Sequence, residues 1–417
     1  MQLKRVVVTG IGTINPLGNN ITEYFNNLDN GTSGASLITR FDASLFKTKF
    51  ACEIKNFDSE KYGIDKKEAR KLDLFAQYAL VATSEAIKDS GLELEKVDLD
   101  RAGVILGSGI GGIETMFQEI KGYFEGGCIP RFSPFLIPKM IPDIAAGHIS
   151  MKYGFRGPNF TTVSACASST NAMTDALNYI RLGKADIIIT GGSEAGISVP
   201  SIGGFNSSQA LSTNNENFRT ASRPFDKTRD GFVMGEGAAT LIFEEYNHAV
   251  ARGAKIYAEV SGAGLSADAY HITAPHPDGL GANQVMRLAL EDAGMKPEDV
   301  DYINVHGTAT PLGDIAELKA VKEIFGKHAF KLNISSTKSM TGHLLGATGA
   351  VEALACIHAI NSGIVPPTIN FEHEDPEIDY NLNLTLNKAQ KREVNVAMNN
   401  TFGFGGHNSC IIFSKSK

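Results

Sequence analysis

A chain of 417 residues, 42% hydrophobic and 20% charged, can bury a large core as two domains or one intimate unit. Its formal net charge of -7 argues against general nucleic-acid binding. Five cysteines, an odd number with no C-x-x-C pair, speak against a disulfide framework and for a reducing, cytoplasmic setting. The apolar run at the start is too short for a signal peptide. No stretch approaches the ~20 apolar residues of a membrane span, so no membrane partner is expected.

Arg5-Val6-Val7-Val8-Thr9-Gly10-Ile11-Gly12 reads as a buried strand entering a glycine turn. Gly10, Gly12 and Gly18 do not complete G-x-G-x-x-G, and no dinucleotide site follows. Residues 65–90 read as one helix, with Leu72, Phe75, Ala76, Ala79 and Leu80 on one face. Lys67, Arg70 and Lys71 cluster near its start, where a solvated charged face is the ordinary reading.

Val163-Ser164-Ala165-Cys166 runs like a strand into a helical pattern carried by Ala172, Ala176, Leu177 and Ile180. Cys166 is thereby predicted at a strand-to-helix turn, beside the positive end of a helix dipole, which would lower its pKa. A buried structural cysteine is the competing reading.

The chain then repeats itself. The helix ending Ala86-Ile87-Lys88-Asp89-Ser90-Gly91 precedes the strand Gly103-Val104-Ile105-Leu106, as Leu290-Glu291-Asp292-Ala293-Gly294 precedes Tyr302-Ile303-Asn304-Val305. Val8-Thr9-Gly10-Ile11-Gly12 is echoed by Val260-Ser261-Gly262-Ala263-Gly264. The Cys166 segment is echoed by Ile334 to His343 and the helical pattern that follows. Three echoes in one order predict two similar α/β halves, residues 1–252 and 253–417, with mainly parallel strands covered on both faces. Because open α/β sheets carry function beyond the carboxyl ends of their strands, Cys166, His306 and His343 are expected to converge. The tail from Asn399 to Asn408 interleaves Phe402 and Phe404 with three glycines. It reads either as a plain turn or as a mobile loop offering backbone N–H groups to an oxyanion.

Four motifs carry a resemblance: Ser164-Ala165-Cys166-Ala167, Val305-His306-Gly307-Thr308-Ala309-Thr310-Pro311, Lys338-Ser339-Met340-Thr341-Gly342-His343 and Phe402-Gly403-Phe404-Gly405-Gly406. Gly107-Ser108-Gly109-Ile110-Gly111-Gly112 and Asp268-Ala269-Tyr270-His271-Ile272-Thr273 add to it. Across essentially its whole length the sequence resembles the β-ketoacyl-acyl-carrier-protein synthases, most nearly the type II elongating enzymes. The resemblance implies a thiolase-like, five-layered α-β-α-β-α fold and a homodimer. It also implies a decarboxylative Claisen condensation that lengthens an acyl chain by two carbons. Substrates would ride on the phosphopantetheine of acyl carrier protein, with no metal or redox cofactor.

By the same resemblance Cys166 takes the acyl chain, and His306 and His343 promote malonyl decarboxylation. Lys338 tunes the histidines, with Glu352 and Asp268 as supporting acids. The backbone N–H groups of Cys166 and Phe404 form the oxyanion hole. Thr308, Thr310 and Thr273 match positions that hydrogen-bond the phosphopantetheine arm, although threonines often satisfy only local backbone. Ile110, Phe205 and Phe402 match substrate-lining positions, and Lys67, Arg70 and Lys71 match the patch that docks the carrier protein. His407 departs from the pattern, standing where related sequences commonly have threonine. A polyketide ketosynthase shares every catalytic residue, whereas a non-catalytic chain-length factor would typically lack the cysteine. A degradative thiolase would bring a second catalytic cysteine, and a cysteine hydrolase would leave the second histidine and the lysine unexplained.

Overall fold

The computed structural model describes residues 3–416. Ten strands form one continuous sheet: β1 Val6–Ile14, β2 Ala102–Gly107, β3 Asn159–Thr162, β4 Ile187–Glu194, β5 Gly237–Glu245, β6 Ala258–Ala267, β7 Tyr302–Asn304, β8 Asn333–Ser335, β9 Val396–Gly403 and β10 His407–Ser414. The order across the sheet is β8-β7-β9-β10-β6-β1-β5-β4-β2-β3. Read inward from either edge, each strand of one half meets its counterpart five places on in the other. The sequence echoes are therefore a repeated topology.

Among the described residues the two halves of the sheet join only where Val7 and Val8 of β1 face Glu259 and Ala258 of β6. There the sheet folds over, with α3 (Ser168–Arg181) and α6 (Thr348–Ser362) between its halves. Both helices touch strands of both halves and each other. Outside lie α1 (Leu74–Ser90) and α2 (Ile144–Tyr153) on one face, and α4 (Leu280–Ala293) and α5 (Pro311–Phe325) on the other. The result is five layers. The sandwiched position of α6 explains why nearly every residue from Thr348 to Ile360 is buried.

Two expectations are corrected. Only the outer strands of each half are parallel. β4, β5 and β1 run antiparallel, as do β9, β10 and β6. The turn joining β9 to β10 is just Phe404–Gly406, and so short a link permits only an antiparallel pair. The single helix over 65–90 is instead a short turn, Lys66–Ala69, and then α1. Asp73 breaks it by capping α1, its carboxylate accepting the Phe75 N–H while also binding Thr115. Nor is α1 one-faced, since Phe75 through Thr83 are all buried.

The glycines of the opening strand have a packing role. A Cβ at Gly12 would lie 2.1 Å from the Ala82 carbonyl oxygen of α1, and one at Gly264 would lie 2.4 Å from that of Val285 in α4. In each half a helix backbone presses directly on the first strand.

Candidate active site

The strand ends converge as their repetition requires. After β3 the chain makes one 3-10 turn, Ala165–Ala167, with Ala165 in the left-handed region at φ 51°. Ser168 ties this turn: its Oγ accepts the Ser164 N–H at 3.0 Å and donates to the Ala165 carbonyl at 2.7 Å. Cys166 is thus fixed at the start of α3. His306 follows β7, and Glu317 of α5 grips its loop by accepting the N–H groups of His306 (2.8 Å) and Gly307 (2.9 Å). His343 follows β8 and the one-turn helix Lys338–Thr341, its N–H donating to the Val233 carbonyl at 2.7 Å.

Side chains then meet over one cavity of about 470 Å³, lined by Cys166, His306, His343, Ile110, Phe205, Phe402, Phe404, Asp268, Thr273, Thr308 and Thr310. His343 Nε2 lies 2.9 Å from Cys166 Sγ, and its Nδ1 lies 2.9 Å from Thr348 Oγ1. The rings of His306 and His343 stand edge to face at 5.3 Å. Phe402 packs 5.6 Å from His306, and Phe404 sits 6.2 Å from Phe205. Lys338 lies behind this wall, 1% exposed and ion-paired with the equally buried Glu352.

Electrostatics keep both imidazoles neutral. Burial, and then the Lys338 ammonium, hold His306 and His343 well below the ordinary histidine range. Among the described residues His306 Nδ1 is buried without a hydrogen-bond partner. An orphan acceptor is tolerated more readily than an orphan donor, which places the ring proton on Nε2. Two neutral rings with N–H groups at one cavity are suited to receive developing negative charge on an oxygen.

The expected lowering of the Cys166 pKa is overturned. Burial pushes the thiol up to about 12, although Lys338 and the backbone N–H groups of Phe404 and Cys166 itself pull the other way. The resting group is the thiol, and His343 Nε2 is the ring nitrogen within hydrogen-bond reach of it. The same two N–H groups that favour the thiolate are those expected to form an oxyanion hole.

Other residues fall into place or away from it. Thr308 and Thr310 hydroxyls lie 3.1 Å apart at the cavity, whereas Thr273 is exposed at its edge. Asp268 accepts Asn408 Nδ2 at 2.8 Å, and its own N–H donates to the Gly406 carbonyl, pinning the Phe404 hairpin. Lys67, Arg70 and Lys71 are exposed, outside the cavity and without ion pairs among the described residues. His407 points away from the cavity, its ring against Gly405. Gly403 is a close-approach glycine as well as a loop residue, since a Cβ there would lie 2.7 Å from the Ser164 carbonyl oxygen.

Sequence reading missed Glu194, Glu317, Asp314 and Thr348. Glu317 is buried and pushed up to about 7 by that burial. Asp314, beside buried Arg229, accepts the Phe225 and Ala309 N–H groups and so holds the threonine loop, in which Ala309 has φ 65°. One signal was available: Gly191-Gly192-Ser193-Glu194 ends an apolar strand on a charge, and such a charge needs a built receptor.

Fold and site together define the class, a thiolase-like α/β enzyme with a cysteine and two neutral imidazoles where its halves meet. The chain belongs to the β-ketoacyl synthase family. Residues 3–249 match the model of the β-ketoacyl synthase N-terminal domain, and residues 257–372 that of the C-terminal domain. The 3-oxoacyl-[acyl-carrier-protein] synthase 2 of Staphylococcus aureus (strain COL) is 49% identical over 414 residues, covering 99% of both chains. A β-ketoacyl synthase from Burkholderia phymatum superposes with a TM-score of 0.91 at 34% identity, covering 99% of this chain and 100% of that one. A type II polyketide ketosynthase, solved with its acyl-carrier protein and a bound hexaketide, superposes with a TM-score of 0.87 at 34% identity, with full coverage of both chains.

Proposed function

We propose that this chain is an elongating 3-oxoacyl-acyl-carrier-protein synthase working through Cys166, His306 and His343. The observation that carries the reading is the 2.9 Å approach of His343 Nε2 to Cys166 Sγ, with the His306 ring edge to face beside it. Sγ attacks the thioester of an acyl-carrier protein, and the thiol proton leaves with the carrier's phosphopantetheine thiol. The tetrahedral oxyanion is received by the Cys166 and Phe404 N–H groups. Malonyl-carrier protein then loses carbon dioxide. The enolate oxygen is held by the imidazole N–H groups, and the enolate carbon attacks the Cys166 thioester. The 3-oxoacyl product leaves as the bond from its carbonyl carbon to Sγ breaks, and the Sγ thiolate takes up a proton from solvent.

Lys338, paired with Glu352, keeps the rings neutral from behind, while Glu317 and Asp268 hold their loops. Thr308 and Thr310, with Thr273 at the rim, bind the pantetheine arm. Ile110, Phe205 and Phe402 line the acyl side of the cavity. Lys67, Arg70 and Lys71, unpaired on the surface of an otherwise acidic chain, receive the acidic carrier protein. We assign the halves to residues 1–252 and 253–417 and the working form to a homodimer. The chemistry uses no cofactor beyond the carrier's phosphopantetheine, and five free cysteines suit a cytoplasmic site of action.

The test is incubation with malonyl-carrier protein and a ladder of acyl-carrier proteins, products being read by mass spectrometry. A 3-oxoacyl-carrier product two carbons longer than the donor is expected. Products extended repeatedly without reduction would favour the polyketide reading, and free acids would mean hydrolysis.

A further inference from the structure

One buried carboxylate has no part in the steps above. Glu194, at the end of β4, is 0% exposed and forms no ion pair among the described residues. It is met by five hydrogen-bond donors. Oε2 accepts the N–H groups of Gly109 (2.7 Å) and Gly346 (3.0 Å). Oε1 accepts those of Ile110 (3.1 Å) and Gly111 (3.3 Å), with Ser108 Oγ at 3.2 Å.

These donors belong to two separate walls. The first is the loop after β2, which carries Ile110. The second is the 3-10 turn Leu345–Ala347 that follows His343. Both Ile110 and Leu345 line the cavity, and with Cys166 and Phe205 they pack on one apolar cluster with Ile197 and Ile202 behind. The fit is close, since a Cβ at Gly109 or Gly346 would lie 2.9 Å or 2.6 Å from Oε2. Only glycine lets both walls reach the carboxylate. Five donors leave no acceptor for a carboxyl proton, so the geometry demands the ionised form even though burial raises the pKa.

We propose that Glu194 is a positioning residue for the acyl pocket: by clamping the Ile110 loop to the Leu345 turn, it sets which acyl chain lengths reach Cys166. The proposal rests on the acyl-transfer reading of the cavity. A short chain would pack against a fixed Ile110. A long chain that reaches past Ile110 would shift the loop whose backbone N–H groups bind Glu194, and that shift breaks charge-assisted hydrogen bonds. Loosening the clamp therefore favours long chains over short ones.

Glu194→Gln keeps the size but turns an NH₂ group onto backbone donors. Acylation of Cys166 would be followed by intact mass spectrometry with four-carbon and twelve-carbon acyl-carrier proteins. The long-to-short ratio of kcat/KM should rise about tenfold over wild type. A prop that only stabilised the fold would lower both rates by one factor, and that result, or an unchanged ratio, overturns the proposal.

A second measurement needs no carrier protein. In a Cys128→Ser background, short and long N-alkyl iodoacetamides would compete for Cys166, with the same shift expected in Glu194→Gln. If wild type takes no acyl group from any carrier, the functional reading fails, and the alkylation ratio still decides the clamp. Should Glu194→Gln not fold, Ser108→Ala removes one donor and should move both ratios the same way by a smaller factor. No movement would again overturn the proposal.

Discussion

The two halves start their central helices with the same turn and use it differently. In the first, Ala165 has φ 51° and Cys166 precedes α3. In the second, Leu345 has φ 49° and Gly346 precedes α6. The first turn directs the Cys166 N–H towards the sulfur, whereas the second directs the Gly346 N–H to Glu194. The first helical hydroxyls diverge too: Ser168 ties its own turn, and Thr348 reaches His343 Nδ1. Duplication supplied two identical sockets for negative charge at helix N-termini. One socket faces the Cys166 sulfur, and the other a permanent carboxylate. Backbone geometry sets where charge is welcome; side chains decide whether anything happens there.

The sharpest way to break this comparison is to move the thiol. Cys166→Ala should reduce acyl loading by roughly four orders of magnitude or more, read as mass added to the protein. Adding Gly346→Cys should restore nothing, because a Cβ at 346 would lie 2.2 Å from the Gly109 nitrogen. Loading recovered at position 346 would show the sockets to be interchangeable.

Histidine replacement should have the next largest effect. His306→Ala or His343→Ala should slow malonyl decarboxylation by about 100- to 1000-fold, measured as released carbon dioxide. Only His343→Ala should also slow loading, since only His343 touches Sγ.

The pH response follows from the directions of the shifts. Decarboxylation should stay level through pH 6.5, because burial and Lys338 keep the rings neutral there. A fall centred on pH 6.5 would contradict that. Acylation should still rise above pH 8.5, since burial holds the Cys166 thiol up near 12 and more thiolate forms with each step. For stability, unfolded histidines take up protons below about 6.5 while the buried pair does not, so the pair weakens the fold as pH falls. Glu317 acts oppositely: raised to about 7, its proton favours the folded state below about 4.5, and that contribution is lost as pH climbs towards 7. The two contributions overlap and sum, so urea unfolding of Glu317→Gln beside wild type should separate them, the variant losing stability more steeply as pH falls through this range.

Smaller effects complete the series. Gly346→Ala should destabilise the fold by about 1–3 kcal/mol in urea, by forcing a methyl group against backbone, while Cys166→Ala should remain close to wild type. His407→Thr should change turnover by less than about twofold, as its ring lies outside the cavity.

Much of this was legible in the chain because repetition and motif spacing are properties of sequence. The echo of Val8–Gly12 in Val260–Gly264 is the visible trace of two helices pressed on two strands. Cys166, His306 and His343 could be placed together because each follows a strand in an equivalent position. The Cys166 pKa was misjudged because a helix end is visible in sequence, whereas the burial that outweighs it comes from segments distant along the chain. The break at Asp73 was hidden because Thr115, which holds the capping carboxylate in place, lies forty-two residues away. Glu317 escaped for a related reason, since its partners are chiefly backbone N–H groups, which have no signature in side-chain letters.

The glycine at 346 also fixes a stoichiometry. A duplicated fold with two equivalent helix-start turns has, by topology alone, two positions for an acyl group. Here the second turn has no side chain, no room for one, and a carboxylate already seated at its N–H. On the proposed chemistry each chain therefore has one place for a thioester, and saturating it with an acyl donor should add the mass of a single acyl group.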